Sequence, residues 1–110
     1  FLSLLTALAN NNSETSISLI EQVYSAGKDV KQFMKDFAKF ILEVEKYNLF
    51  QDFKYISLPQ TIEFEIKNIV KNLDVFNVMD FVVSLNNQVK WDSDPKTLIE
   101  LSILIYCGKE

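Results

Sequence analysis

Between residues 33 and 47 the apolar side chains fall at helical spacing. Phe33, Phe37, Phe40, Ile41, Val44 and Tyr47 line one side of a 3.6-residue repeat, and Lys35, Lys39, Glu43 and Lys46 line the other. No strand can present that pattern, because alternate residues of a strand point to opposite faces. A long amphipathic helix is therefore required here. Asp29 stands where its N-cap should be, and Gln32 is placed for a capping box.

The flanking segments repeat the pattern. FLSLLTALA reads as a short helix with Leu4, Leu5 and Leu8 on one side. NNNSETS is a polar break rich in capping residues. A second helix is expected from about Glu14 to Ala26, with Ile17, Ile20, Val23 and Tyr24 inward and Gly27 as its stop. Asn48 to Leu58 reads as a connection, and Pro59 begins a fourth helix with Ile62, Ile66, Ile69, Val70 and Leu73 facing inward. Asp74 caps a fifth helix running to about Val89, with a core stripe of Val75, Val78, Met79, Val82, Leu85 and Val89. Only two Gly and two Pro occur in 110 residues, too few for the turns of a sandwich or barrel. The expected fold is all-α, about six helices packed antiparallel or orthogonally, forming one domain over 1–110.

The last helix, in WDSDPKTLIELSILIYCG, is the unusual one. Asp94 caps it, Pro95 occupies its first turn and Gly108 ends it. Between them, apolar residues lie nearly all round. Leu98, Leu101, Leu104 and Ile105 occupy one side; Ile99, Ile103, Tyr106 and Cys107 occupy the other. Such a helix must be covered on both sides. The fifth helix carries a second apolar line, Phe76 and Val83, beside its core stripe. The expectation is that Leu98, Leu101, Leu104 and Ile105 face the core. Phe76, Val83, Ile99, Ile103 and Tyr106 are then the candidate subunit interface.

The chemistry is sparse. The 11 basic residues are all Lys, there is no His, and the net charge is −4. Without Arg there is no guanidinium fork for phosphate, and without His many zinc and general-base arrangements are excluded. The acidic balance argues against a dedicated nucleic-acid module. No phosphate loop or C-x-x-C is present, so no catalytic, metal or cofactor-binding residue is assigned. Asp92 and Asp94 read as helix-start carboxylates. The single Cys107 reads as a packed apolar residue, consistent with a reducing cytoplasm. Trp91 reads as an anchor over the last helix's start, with an interface hot spot as the alternative. No apolar run reaches the ~18 residues of a membrane span. The chain opens on Phe1 within an apolar-periodic stretch, which reads as an excerpt of a longer protein.

Three stretches, LLTALANNNSETSISLIEQVYSAGKDVKQFMKDFAKFI, VFNVMDFVVSLNNQVKW and SDPKTLIELSILIYC, resemble the third, collar-forming domain of the gamma/tau subunit of the bacterial DNA polymerase III clamp loader. The shared features are the polar gap after a short helix, Gly27 and Asp29 before a long helix carrying Phe33 and Phe37, and the final helix with its Pro and Leu run. Residues 48–73 match only in helical pattern. Lys96 stands where many relatives would have Arg, which weakens any Arg-dependent contact there. The resemblance implies an oligomerisation domain in DNA replication. Its partners would be other clamp-loader subunits (gamma/tau, delta, delta-prime), and ATP, Mg and Zn would belong to an ATPase module outside this chain. Primer-template DNA would be held by the missing ATPase modules, so the resemblance implies that this domain binds neither nucleic acid directly nor a membrane. The collar domain of a delta or delta-prime subunit, or a helical adaptor for a partner peptide, are the alternatives.

Overall fold

In a computed structural model, residues 1–51 and 59–108 are described, and among them lie six α-helices and no strand. The helices are α1 Leu2–Ala9, α2 Ser13–Ser25, α3 Val30–Phe50, α4 Glu63–Asn72, α5 Val75–Val89 and α6 Pro95–Cys107. The long helix α3 is the centre. It packs against α5 most extensively and also touches α2, α4 and α6. Phe37, Ile41 and Val44 of its apolar stripe are fully enclosed, while Phe33 is only half-buried. Burying a Phe or Ile of this kind stabilises the fold by roughly 1.5–3 kcal/mol. Phe1 lies across the start of the stripe, with ring centroids 5.2–5.8 Å from Phe33, Phe37 and Phe40.

Four of the six helices, α2, α3, α5 and α6, start on a short polar side chain. Asp29 Oδ1 accepts from the backbone N–H of Lys31 at 2.9 Å and of Gln32 at 3.3 Å. The reciprocal half of the capping box does not form: Gln32 donates to Asp36 at 2.9 Å instead. Asp74 Oδ1 accepts from Asn77 N–H at 3.0 Å, and α5 runs to Val89 as its periodicity requires. The α1–α2 link divides its work among three asparagines. Asn10 is the C-cap, Asn11 adopts φ 56°, and Asn12 caps α2 through Thr15 N–H at 3.1 Å. Asn11 N–H and Asn12 N–H reach back to the carbonyls of Leu8 and Ala7, closing a Schellman motif. Gly27 does the same after α2 at φ 77°, with Gly27 and Lys28 donating to Tyr24 and Val23.

Two boundaries differ from expectation. The connection starts later than Asn48, because α3 continues to Phe50 and ends on Gln51 at φ 56°; residues 52–58 lie outside the described residues. The segment after Pro59 makes one 3-10 turn, Gln60–Ile62, before α4 begins at Glu63. Ile66 and Ile69 of α4 are buried, and Ile62, Val70 and Leu73 pack partly against the core. Asn86 fastens α5 to α3, donating to the carbonyl of Met34 at 3.2 Å and of Val82 at 3.0 Å. No described helix is long and apolar enough to cross a membrane.

Candidate interaction surface on the last helix

Asp94 holds the start of α6. Its carboxylate accepts from Thr97 N–H at 3.4 Å and from the Thr97 hydroxyl at 2.7 Å. Asp92 Oδ1 accepts from Asp94 N–H at 2.7 Å and so sets the turn before the cap. Pro95 follows at the first helical position. At the other end Gly108 donates to Leu104 O at 3.0 Å, but its φ is −83°, so the stop is not a left-handed one. Glycine is needed there for space: a Cβ would lie 2.9 Å from the Leu104 carbonyl oxygen.

The two apolar sides of α6 are both real, but their poles are the reverse of the expectation. Ile99 and Ile103 are 0% and 1% exposed, and Cys107 is buried with them in this chain's own core. Leu101, Leu104 and Ile105 are 54%, 52% and 66% exposed, with half-buried Leu98 beside them. Ile99 and Ile103 are therefore core residues and cannot be a subunit interface. Tyr106 is also engaged within the chain: its ring stacks on Phe81 of α5 at 4.3 Å and 22°. Burial, followed by the nearby Asp74 carboxylate, pushes its phenol up from the ordinary range. Phe76 and Val83 are exposed on α5. At ~100° per residue they lie roughly 140–160° around that helix from Phe81, so they point away from α6. The five candidate residues do not form one surface.

The physical reason for the reversal is the neighbouring helix α2. Lys96 and Glu100 fall on the Ile103–Cys107 side of α6, where polar residues suggest solvent. Instead α2 brings Glu21 and Tyr24 to meet them. Lys96 Nζ lies 2.7 Å from Glu21 Oε1, 3.3 Å from Glu100 Oε2 and 5.1 Å over the Tyr24 ring. One ammonium thus sits between two carboxylates. Hydrogen bonding to Lys96 lowers the Glu21 carboxyl from its ordinary value, whereas burial raises that of Glu100. Glu100 Oε2 has no well-aligned hydrogen-bond donor, and the close Lys96 charge is its compensation. Lys96 is thus occupied inside this clasp. A signal for the true pole was present in sequence: Ile99, Ile103 and Cys107 form an unbroken i, i+4, i+8 row, and Lys96–Glu100 is an i, i+4 ion pair alongside it.

Further placements complete the picture. Cys107 is buried, and that burial raises its thiol from the ordinary range, with a Ser16 hydrogen bond opposing. Trp91 does not pack over the helix start: it is 83% exposed, with Lys90 Nζ 5.2 Å from its ring centroid. Among the described residues no three Cys, Asp or Glu side chains are grouped to hold a metal ion. What the structure does offer is an apolar stripe of Leu101, Leu104 and Ile105 on a capped helix, facing solvent, with Leu98 at its edge packed partly on the core. Comparison with known protein families, with curated proteins and with solved structures found no match.

Proposed function

We propose that this chain is a non-catalytic subunit-assembly domain that docks through the outer side of α6, in the manner of the collar domain of a DNA polymerase III gamma/tau clamp-loader subunit. The observation that carries the reading is the solvent-facing stripe of Leu101, Leu104 and Ile105 opposite a buried Ile99–Ile103–Cys107 row. Contiguous apolar surface of this kind on a soluble domain marks an interaction site. Hiding the exposed halves of Leu101, Leu104 and Ile105 is worth only about 1 kcal/mol each. Association costs an estimated 4–15 kcal/mol, so this stripe alone does not hold a partner. A closed collar meets that difficulty, because each domain touches two neighbours and is tethered to further modules, raising the effective concentration. In this reading the partners are the gamma/tau, delta and delta-prime collar domains. The ATPase chemistry resides elsewhere in the parent, and the compartment is the cytoplasm.

A second reading is favoured by the shallow groove of about 210 Å³ between α5 and α6, where Ile105 and Ser102 face Phe81 and Gln88. A partner helix or peptide seated there would make the domain an adaptor. Mixing the chain with the other loader subunits and measuring mass by sedimentation separates the two. The collar reading expects a defined multi-subunit particle that Leu101→Asp and Ile105→Asp weaken. Unchanged assembly in both variants sinks it.

A further inference from the structure

A net charge of −4 conceals a local concentration of the opposite sign. The N-terminal half of α3 and the C-terminal end of α5 border an open groove of about 520 Å³, into which Lys31, Lys35, Lys39 and Lys90 project beside the amides of Asn86 and Asn87. Lys46, Lys67 and Lys96 are held in ion pairs. Among the described residues, none of the four groove lysines has a carboxylate within 4 Å. Lys31 Nζ makes only a 3.5 Å contact to the Lys90 carbonyl. Among the described residues, the one acidic group lining the groove, Asp29, is engaged in capping α3. Lys31, Lys35 and Lys39 recur every four residues, so their backbone positions climb the helix in steps of about 6 Å. Trp91 follows Lys90 in the chain, is 83% exposed, and has the Lys90 ammonium 5.2 Å from its ring centroid.

We infer that this α3–α5 groove binds single-stranded nucleic acid, with the lysine row on the phosphates and Trp91 as a stacking platform for a base. Unpaired lysines along a groove, with an exposed aromatic beside one of them, are the parts of a sequence-tolerant single-strand site. Lysine without arginine suits that role, because it neutralises phosphate as a point charge without a bidentate geometry. The indole decides between nucleic acid and an acidic peptide. Its electron-rich face gains nothing from a carboxylate, whereas every base has a face to stack. The Lys90 ammonium lies over the Trp91 ring, and the side chain as a whole remains 83% exposed. In a duplex the bases are already stacked on one another, so a single strand is the form that fits.

The test uses the 110-residue chain and a fluorescently labelled oligothymidylate, read by anisotropy and by emission of Trp91, the sole tryptophan. Binding at low salt should quench Trp91. It should weaken with a log–log salt slope of about −2 to −3, as expected for three or four phosphate contacts. Trp91→Ala should weaken binding about 5- to 150-fold, the effect of losing one base stack. The pair Lys35→Glu and Lys39→Glu should abolish binding with the helical dichroism unchanged. If that pair disturbs folding, Lys35→Ala with Lys39→Ala serves, and should flatten the slope by about 1–2 units. No binding at low salt, or binding indifferent to these lysines, overturns the inference. So does tighter binding of the complementary duplex. Equal binding of a polyglutamate peptide with Trp91 emission unmoved assigns the groove to an acidic protein partner and overturns it as well.

Discussion

Helices α3 and α6 both press a row of apolar side chains into the same core, and they differ in what they show to water. Over its first half the outer side of α3 carries Lys35, Asp36 and Lys39, polar groups within reach of water; exposed apolar side chains enter only from Leu42 onward, with Leu49 and Phe50 in the last turn. The outer side of α6 carries Leu101, Leu104 and Ile105. The first half of α3 is complete once the domain folds. Helix α6 remains partly unsatisfied, because solvent is the wrong neighbour for half its circumference. The difference separates residues that specify this fold from residues free to specify an assembly, and the boundary runs through a single helix.

Substitutions on the two sides of α6 should therefore have opposite consequences. The largest effect is expected from Ile103→Asp, which places a carboxylate without a partner in the core. Loss of the folded dichroism signal at room temperature is the expected outcome. Survival of a cooperative melt would mean that the buried pole of α6 is wrongly placed. Phe37→Ala should cost about 3–5 kcal/mol by denaturant titration, through the cavity it leaves at the centre of α3. Leu101→Asp, by contrast, should leave the denaturation midpoint within about 0.5 kcal/mol of the parent while changing association. A cost as large as that of Phe37→Ala would erase the distinction between the two sides.

Smaller effects sharpen the same comparison at the ends and flank of α6. Asp94→Ala removes the acceptor of Thr97 N–H and should destabilise by ~0.5–2 kcal/mol, with an unchanged midpoint showing that the Asp92 turn alone sets the start. The smallest effect concerns the α2–α6 clasp. The carboxyl of Glu100 is raised in the folded state by burial, so its contribution is present at acid pH and is lost as pH rises beyond the ordinary glutamate range. That of Glu21 is lowered by Lys96, so its contribution is present above that range and is lost only as pH falls below it. Glu100→Gln should abolish the loss on the alkaline side and leave the domain at least as stable as the parent at pH 7. A midpoint that drops at pH 7 would show the Glu100 charge to be stabilising. Denaturation at pH 4, 5, 6 and 7 reads the sign.

The limits of legibility follow from the same contrast. On α3, lysines and glutamates opposite the phenylalanines define both that the helix is amphipathic and which side is inward. Asp29, Asp74 and Asp94 were equally legible as caps, because each is a short acceptor standing before an apolar period. On α6 the periodicity divided the helix into two apolar sides but supplied no contrast between them. Its few polar residues misdirect, because Lys96 and Glu100 meet Glu21 of another helix, 75 and 79 residues away in the chain. Trp91 failed for a related reason: a large aromatic beside a helix start suggests packing, and nothing nearby in sequence reveals that no helix covers it. Phe76 and Val83 were placed at the surface, but their direction around α5 depended on where α6 docks.

The order in which the helices pack carries a kinetic implication. Helix α2 meets α6 and α1 meets α5, while α3 lies among α2, α5 and α6. Early and late segments are thus interleaved, and neither half of the chain holds an enclosed core by itself. Local helix formation is rapid, on the microsecond scale, but it cannot be locked until the last helix arrives across the second. The polypeptide should consequently open as one cooperative unit, with amide protons in α2, α3, α5 and the inward side of α6 exchanging from a common globally unfolded state.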